Sequence, residues 1–341
     1  MKKTLIALAV LGATAGVAHA QSNVTIYGIV DTGFVKETGS KAYMNEKVNN
    51  RIGFRGVEDL GGGLKATFEL EERFNLFDGS SRGDSKSSGS LTKSEDFDGA
   101  ANVGLAGNWG AVRFGRVNEL STETLRTLDP FNQYGVGGMF ESPLRSARIS
   151  STARFDSANY AGFKFGASYS LENQSGGAQD DQAYGNAGWA VSGKYANGPV
   201  AVLANYNKAQ NSDDSSNWNV GGSYAFGPAK IAVAYEKTKV TAGGAVVGFD
   251  DPVDGDAVEG SYKNVLVGVS YKIGAGTINA SYNHLKTPQD YKDQKFALGY
   301  THDLSKRTSV YLDYAHLKAD SDRNLSDDTV NSVQVGMTHK F

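Results

Sequence analysis

Residues that could catalyse a reaction are few in this chain of 341 residues. It contains no cysteine, so thiolate catalysis and thiolate metal sites are excluded. Outside the first twenty residues the histidines are His284, His302, His316 and His339, and none is paired at metal-ligand spacing. A serine hydrolase would need a histidine beside a serine and a third, orienting group. We interpret each histidine as a residue near the end of a structural element, and the sequence predicts no enzyme.

One polar stretch carries four aspartates that could bind a cation. They are Asp250, Asp251, Asp254 and Asp256. Carboxylate oxygens suit Ca²⁺, but the spacing lacks the pattern of an EF-hand loop. We expect a solvated loop here, with Ca²⁺ binding as the alternative, and we expect no other cofactor.

Arginines are the residues whose positions suggest a function. They lie in segments where apolar and polar residues alternate, on the face opposite the apolar residues. Four of them are Arg51, Arg73, Arg148 and Arg154. Because arginine keeps its proton at any working pH, the face that carries these residues must be in contact with water or with carboxylates. Fixed cations on a watery wall would select passing solutes by charge.

Alternation with a period of two is the dominant pattern of the chain and predicts β-strands. In residues 64–71, for example, the even-numbered residues are apolar and the odd-numbered ones polar. Seven short turns alternate along the chain with eight long polar loops, which gives fifteen connections and therefore sixteen strands. Short turns at one rim and long loops at the other are typical of an antiparallel transmembrane β-barrel. A β-propeller has a similar repeat length, but its blades carry four short strands.

The N-terminus has the pattern of a secretory signal peptide. Two lysines precede an apolar run over residues 5–17, and Ala18-His19-Ala20 forms a small-x-small cleavage site. We expect residues 1–20 to be removed and residues 21–341 to form the barrel. Removing Lys2 and Lys3 takes Lys+Arg from 34 to 32 against 37 Asp+Glu, a formal charge of −5. That balance gives no support for nucleic-acid binding.

The longest segment without a strand pattern is 119–147. Loops longer than roughly 15 residues in a compact domain are usually functional or disordered. This one has enough apolar side chains to pack, and it carries Glu123 and Asp129. We predict that it folds into the lumen and narrows it, with these two acids facing the four arginines. The alternative is an exposed extracellular cap.

Three stretches carry a specific resemblance to a known family. Residues 50–66 read NRIGFRGVEDLGGGLKA, residues 105–116 LAGNWGAVRFGR and residues 154–163 RFDSANYAGF. They resemble the general-diffusion porins of Gram-negative bacteria, in their β-proteobacterial branch. The resemblance implies a trimer of sixteen-stranded outer-membrane barrels, each with the third external loop inside a water-filled channel for ions and small hydrophilic solutes. It places the family's basic pore wall on the four arginines.

Further expectations follow from the ends and the charges. Phe341, with apolar or aromatic residues at alternate positions before it, resembles the signal read by the barrel-assembly machinery. We expect contacts with outer-membrane lipid and lipopolysaccharide. Four positive charges against two negative ones predict a mild preference for anions. The alternative function is a sealed structural or adhesive barrel whose loops act outside, and electrical conductance would separate the two.

Overall fold

The computed structural model describes residues 23–81, 96–144, 148–171, 187–209, 214–241, 250–251, 255–256, 258–321 and 328–341. The predicted signal peptide and Asp254 lie outside these residues, as does the end of the predicted 119–147 loop. In the described part of the chain, no helix is long and apolar enough to cross a membrane.

Sixteen long antiparallel strands form one closed sheet. In chain order the strands are β1 (Asn23–Glu37), β2 (Tyr43–Asn45), β3 (Arg51–Gly61), β4 (Leu64–Arg73), β5 (Ala100–Gly107), β6 (Gly110–Asn118), β7 (Arg148–Ser157), β8 (Phe163–Ser170), β9 (Gly188–Asn197), β10 (Val200–Lys208), β11 (Ser216–Phe226), β12 (Ala229–Val240), β13 (Asp250–Asp251), β14 (Gly255–Asp256), β15 (Gly260–Ile273), β16 (Gly276–Lys286), β17 (Lys292–Asp303), β18 (Thr308–Lys318) and β19 (Thr329–Lys340). Each long strand pairs with the next, and β1 pairs with β19. The predicted sixteen-stranded barrel is therefore confirmed.

Three short strands and one helix were not predicted. Strand β2 pairs with β1 and lies in one of the eight predicted long loops, and β13 pairs with β14. The helix α1 (Leu120–Arg126) lies at the start of the predicted 119–147 loop. None of these elements is long enough to impose a period on the sequence, which is why the alternation did not reveal them.

The apolar and polar faces of the sheet are reversed relative to those of a soluble protein, with the apolar face outside. On β12, the large apolar residues Ile231 and Val233 are 41% and 51% exposed, whereas Glu236 and Thr238 are buried. The same arrangement recurs around the barrel, with apolar side chains outward and polar ones inward. An apolar outer face suits lipid, and a closed sheet has no unpaired edge strand.

The short turns depend on glycine where the backbone is left-handed. Gly198, Gly227 and Gly274 have φ of 56°, 55° and 56°, which a residue with a Cβ rarely adopts. The chain end closes the barrel at the same rim, because Phe341 N donates to Gly28 O and Gly28 N donates to Phe341 O, both at 3.1 Å. The ring of Phe341 lies over Gly28, where a Cβ would clash with it. Its role in assembly stays a prediction.

Candidate functional site

The described residues 119–144, here called the 119–144 segment, form a compact unit built around two buried carboxylates. Glu119 caps α1, since its carboxylate accepts hydrogen bonds from Ser121 N at 2.9 Å and Thr122 N at 2.7 Å. Asp129 organises the turn that follows, and it is 2% exposed. Its carboxylate accepts from the backbone N–H groups of Phe131, Gln133 and Met139, at 2.8–2.9 Å.

Three apolar clusters join this segment to inward-facing residues of the barrel wall. Leu125, Leu128 and Met139 pack against Leu203, Ala232, Ala234 and Leu266. Phe140 packs against Val240, Tyr262 and Leu285, and Phe131 packs against Ala297 and Ala315. The segment therefore lies against the inner face of strands β10 to β18.

Glycines on the wall make room for these contacts. A Cβ on Gly221 would come within 2.4 Å of Leu128 Cδ1, and one on Gly268 within 2.5 Å of Pro130 Cδ. One on Gly299 would come within 2.8 Å of the Phe131 ring. The wall is thus shaped to seat three consecutive parts of the segment.

Polar contacts extend the attachment around the barrel. Asn207 Nδ2 donates to Glu119 at 3.2 Å, Asn264 Nδ2 to Phe140 O at 2.9 Å, and Gln334 Oε1 accepts from Val136 N at 3.2 Å. Lys230 Nζ donates to Thr127 O at 2.7 Å. Since Asn207, Asn264 and Gln334 are all buried residues of the inner face, the segment is held from β10 round to β19.

Lys47 adds an ion pair that the sequence did not indicate. Its Nζ lies 2.6 Å from Asp313 Oδ2, and it also lies over the rings of Tyr311 and Phe131. Asp31 supports it, because its carboxylate accepts from Lys47 N at 2.6 Å and from the Tyr311 hydroxyl at 2.9 Å. Lys47 falls in a stretch without alternation, so no pattern marked it.

On the opposite side of the lumen, three of the predicted arginines surround one carboxylate. Arg51, Arg73 and Arg148 approach Glu71 at 3.7, 3.4 and 3.5 Å. All four side chains are at most 12% exposed. The Tyr27 hydroxyl also donates to Glu71 at 3.2 Å. Asp98 also lies beside Arg73, since its Oδ1 accepts from Arg73 N at 2.9 Å, so the cations of this cluster outnumber the neighbouring carboxylates.

The fourth predicted arginine belongs to a balanced group. Arg154 lies 2.7 Å from Glu123 of the segment and 2.7 Å from Asp156. Arg113 pairs with the same Asp156 at 2.5 Å. Glu123 therefore faces a predicted arginine, and two cations here meet two carboxylates.

Tyr134 joins the segment to the arginine cluster. Arg51 Nη2 donates to its hydroxyl at 3.5 Å, and the Arg126 guanidinium lies 5.0 Å from its ring centroid. Burial by itself raises the pKa of Tyr134, but the cations Arg126, Arg51 and Arg73 outweigh that effect and lower the pKa below its ordinary value. The phenol therefore senses the positive charge of this wall.

Two of the predictions made from the sequence concern aspartates. The expectation that Asp129 faces the arginines is corrected, since its carboxylate is directed at backbone N–H groups of its own segment. Of the aspartates considered for Ca²⁺, Asp250 and Asp256 are paired on β13 and β14, and Asp254 is outside the described residues. No cluster of three metal-binding side chains occurs in the described ranges, and Ca²⁺ binding there stays a prediction.

A closed sixteen-stranded barrel with an apolar outer face and a charged interior defines a transmembrane β-barrel protein. The model of the Gram-negative porin family matches residues 7–322, and the chain belongs to that family. It is similar to an outer membrane porin protein of Bordetella pertussis, at 32% identity over the whole of both chains. The family predicted from the three stretches is confirmed, and the chain is an outer-membrane channel protein.

Solved structures agree with this assignment. An anion-selective porin from Comamonas acidovorans superposes with a TM-score of 0.75 at 25% identity, over 94% of this chain and 100% of that one. The trimer form of the outer membrane protein OmpT of Vibrio cholerae has a TM-score of 0.66 at 15% identity, over 94% and 99% of the two chains. The latter likeness shows the shared fold alone.

Proposed function

We propose that this porin is a trimeric channel that prefers small anions, that its 119–144 segment narrows the pore, and that it has no catalytic activity. The observation that carries the proposal is the cluster of Arg51, Arg73 and Arg148 around the single carboxylate of Glu71. An excess of positive charge on one wall attracts anions that pass within a few ångströms.

Charge on the facing side does not cancel this excess. Glu123 is committed to Arg154 at 2.7 Å, and Asp156 is shared by Arg154 and Arg113. Asp129 is buried inside the 119–144 segment. Glu123 and Asp129 therefore contribute less negative charge to the channel than the sequence suggests.

The contacts of the segment support the proposal that it narrows the pore. It is anchored to the wall of β10 to β18 on one side and reaches the arginine wall through Arg154–Glu123 and Arg51–Tyr134 on the other. A passing solute would therefore meet the segment and the arginines together. Water-filled confinement of this kind strengthens the influence of fixed charges on permeating ions.

Similar proteins support the selectivity and the assembly. The Comamonas porin is described as anion-selective, and the Vibrio protein as occurring in a trimer form. We extend both properties to this chain, together with lipid and lipopolysaccharide contacts and recognition of Phe341 by the barrel-assembly machinery. Conductance of the pore, assembly of the trimer and insertion into the membrane can each be measured separately.

A planar-bilayer recording of the purified protein tests the channel itself. We expect stepwise conductance increases as single trimers insert, each step being divisible into three equal closures. A barrel that inserts, as judged by heat-modifiable mobility, but gives no conductance would contradict the proposal and favour a sealed structural barrel. Steps that never divide into three would contradict the trimer alone.

A further inference from the structure

A cavity of about 430 Å³ opens on the channel between the arginine cluster and the rim of the short turns. Its lining includes the charged residues Arg55, Glu69 and Arg113 and the polar residues Thr67 and Asn102. They lie on the inner face of β3 to β6, in adjacent rows of the sheet register. Small-molecule sites have volumes of roughly 300–1,000 Å³, so this cavity is large enough to hold a small solute.

Two residues of this cavity carry opposite charges and do not pair with each other. Arg55 on β3 is the direct register partner of Glu69 on β4. Opposite charges at such positions, about 5 Å apart at Cβ, normally attract each other. In the described part of the chain, however, Arg55 forms no ion pair with a carboxylate and Glu69 forms none with a cation. Both charges therefore remain available to a third group.

Tyr27 on β1 keeps the two charges apart. The Arg55 guanidinium lies 5.1 Å from the centroid of the Tyr27 ring, and the Tyr27 hydroxyl donates to Glu69 Oε1 at 2.8 Å. Gly53 makes room for this ring, because a Cβ there would lie 2.4 Å from Tyr27 Cζ. Tyr27 thus orients both side chains without neutralising either charge.

We propose that this cavity binds zwitterionic solutes, namely free α-amino acids with a small polar side chain. The Arg55 guanidinium binds the α-carboxylate and the Glu69 carboxylate binds the α-ammonium, through charge-assisted hydrogen bonds. Thr67 and Asn102 offer a hydroxyl and an amide to the polar side chain. A simple anion fits less well, because Glu69 repels it while Arg55 attracts it.

This site rests on the proposed channel function, but it acts on a different class of solute from the arginine cluster. An excess of positive charge raises the local concentration of anions. A zwitterion has no net charge and gains little from that field. Two opposite charges at contact distance are what can retain it, and Arg55 and Glu69 supply them.

Ligand binding to the folded full-length protein in neutral detergent micelles tests the site. The probes are L-serine, glycerate, which has a hydroxyl in place of the ammonium, and ethanolamine, which lacks the carboxylate. Saturation-transfer NMR gives their dissociation constants. Serine should bind the wild type about tenfold more tightly than either other probe, because each of these loses one charge-assisted contact. Glycerate or ethanolamine binding as tightly as serine would overturn the proposal.

Variants of the cavity test the same assignment. R55Q and E69Q should each weaken serine binding about tenfold, and E69Q should remove the difference between serine and glycerate. Tyr27→Phe keeps both charges but frees Glu69 to pair with Arg55, so serine should again bind more weakly. The controls E58Q and K306Q remove exposed charges near the same rim and should bind like the wild type. Unchanged serine binding in R55Q, E69Q or Tyr27→Phe would contradict the site.

Two further measurements separate this site from the rest of the account. Heat-modifiable electrophoretic mobility shows whether each variant is folded, and the Tyr27→Phe variant, which changes no charge, tests the site if a charge variant is not. Binding in micelles requires no current. A channel that prefers chloride but does not bind serine would overturn this site alone, whereas serine binding to a channel that prefers potassium would overturn only the proposed selectivity.

Discussion

The two sides of the lumen use opposite physical means. The wall of β10 to β18 is lined by alanine, leucine, asparagine and glycine, and it holds the 119–144 segment through three apolar clusters. The wall of β3, β4 and β7 carries the arginines around Glu71 and is joined to the segment mainly by ion pairs and hydrogen bonds. In the function that we propose, the first side sets where the pore is narrow, and the second sets which charge the pore prefers.

The largest effect should come from loosening the packed side. In L128A/F131A, each truncation costs about 2–5 kcal/mol of docking energy, so the segment should leave the wall. We expect higher conductance and larger current fluctuations in single-channel recordings. The matched control is F296A/L298A, which removes similar volume from two outward residues, both 47% exposed. A wild-type trace from L128A/F131A would show that the segment does not limit the pore.

Inserting bulk on the packed side should give a related change. Gly268→Leu cannot be accommodated without displacing Pro130, because a Cβ alone would lie 2.5 Å from it. Gly193→Leu is the control, since nothing lies within 4 Å of a Cβ at that position. We expect the single-channel conductance of Gly268→Leu to differ from that of the wild type, and the conductance of Gly193→Leu to be unchanged. An identical conductance in both variants would contradict seating of the segment on β15.

On the charged side, removing two arginines should reverse or abolish the anion preference. R73Q/R154Q takes one charge from the Glu71 cluster and leaves Glu123 and Asp156 with Arg113 alone. Each charge contributes up to about 1 kcal/mol at contact distance in water, which corresponds to several-fold in the permeability ratio. The reversal potential in a KCl gradient measures it, and K36Q/K306Q serves as the charge-matched control. An unchanged reversal potential would remove these arginines from the ion pathway.

Removing the carboxylate should act in the other direction by a smaller amount. Glu71→Gln leaves Arg51, Arg73 and Arg148 without their shared counter-charge and should raise the chloride preference by up to about fivefold. The thermal stability of the barrel should fall, because three buried cations then repel one another. A shift of the reversal potential toward K⁺ would show that Glu71 does not moderate the wall's charge.

The smallest effect concerns Tyr134 and pH. Its lowered pKa means that the phenolate forms at lower pH than for an ordinary tyrosine, and the phenolate cancels part of the arginine charge. The chloride preference should therefore begin to decline below the ordinary tyrosine pKa of about 10 as the pH is raised, and Tyr134→Phe should flatten part of that decline. Superimposable pH profiles for wild type and Tyr134→Phe would exclude this contribution.

The features that could be predicted from the sequence are those of the strands, whose alternating pattern repeats along the chain. The count of turns and loops gave sixteen strands, and the alternation placed Arg51 and Arg73 on the polar face, because a period of two assigns every residue of a strand at once. It could not distinguish Glu123, which reaches Arg154, from Asp129, which binds its own backbone. That difference depends on how a non-repeating segment folds. Lys47 was missed for the same reason.

The sign of the reversal potential of the wild-type channel in a KCl gradient tests the central claim most directly. We expect a reversal potential displaced toward the equilibrium potential of chloride. The displacement should grow as the salt concentration falls, because screening of the fixed charges then weakens. A potential displaced toward that of potassium at every salt concentration would contradict it, because the arginines around Glu71 would then not govern the narrow part of the channel.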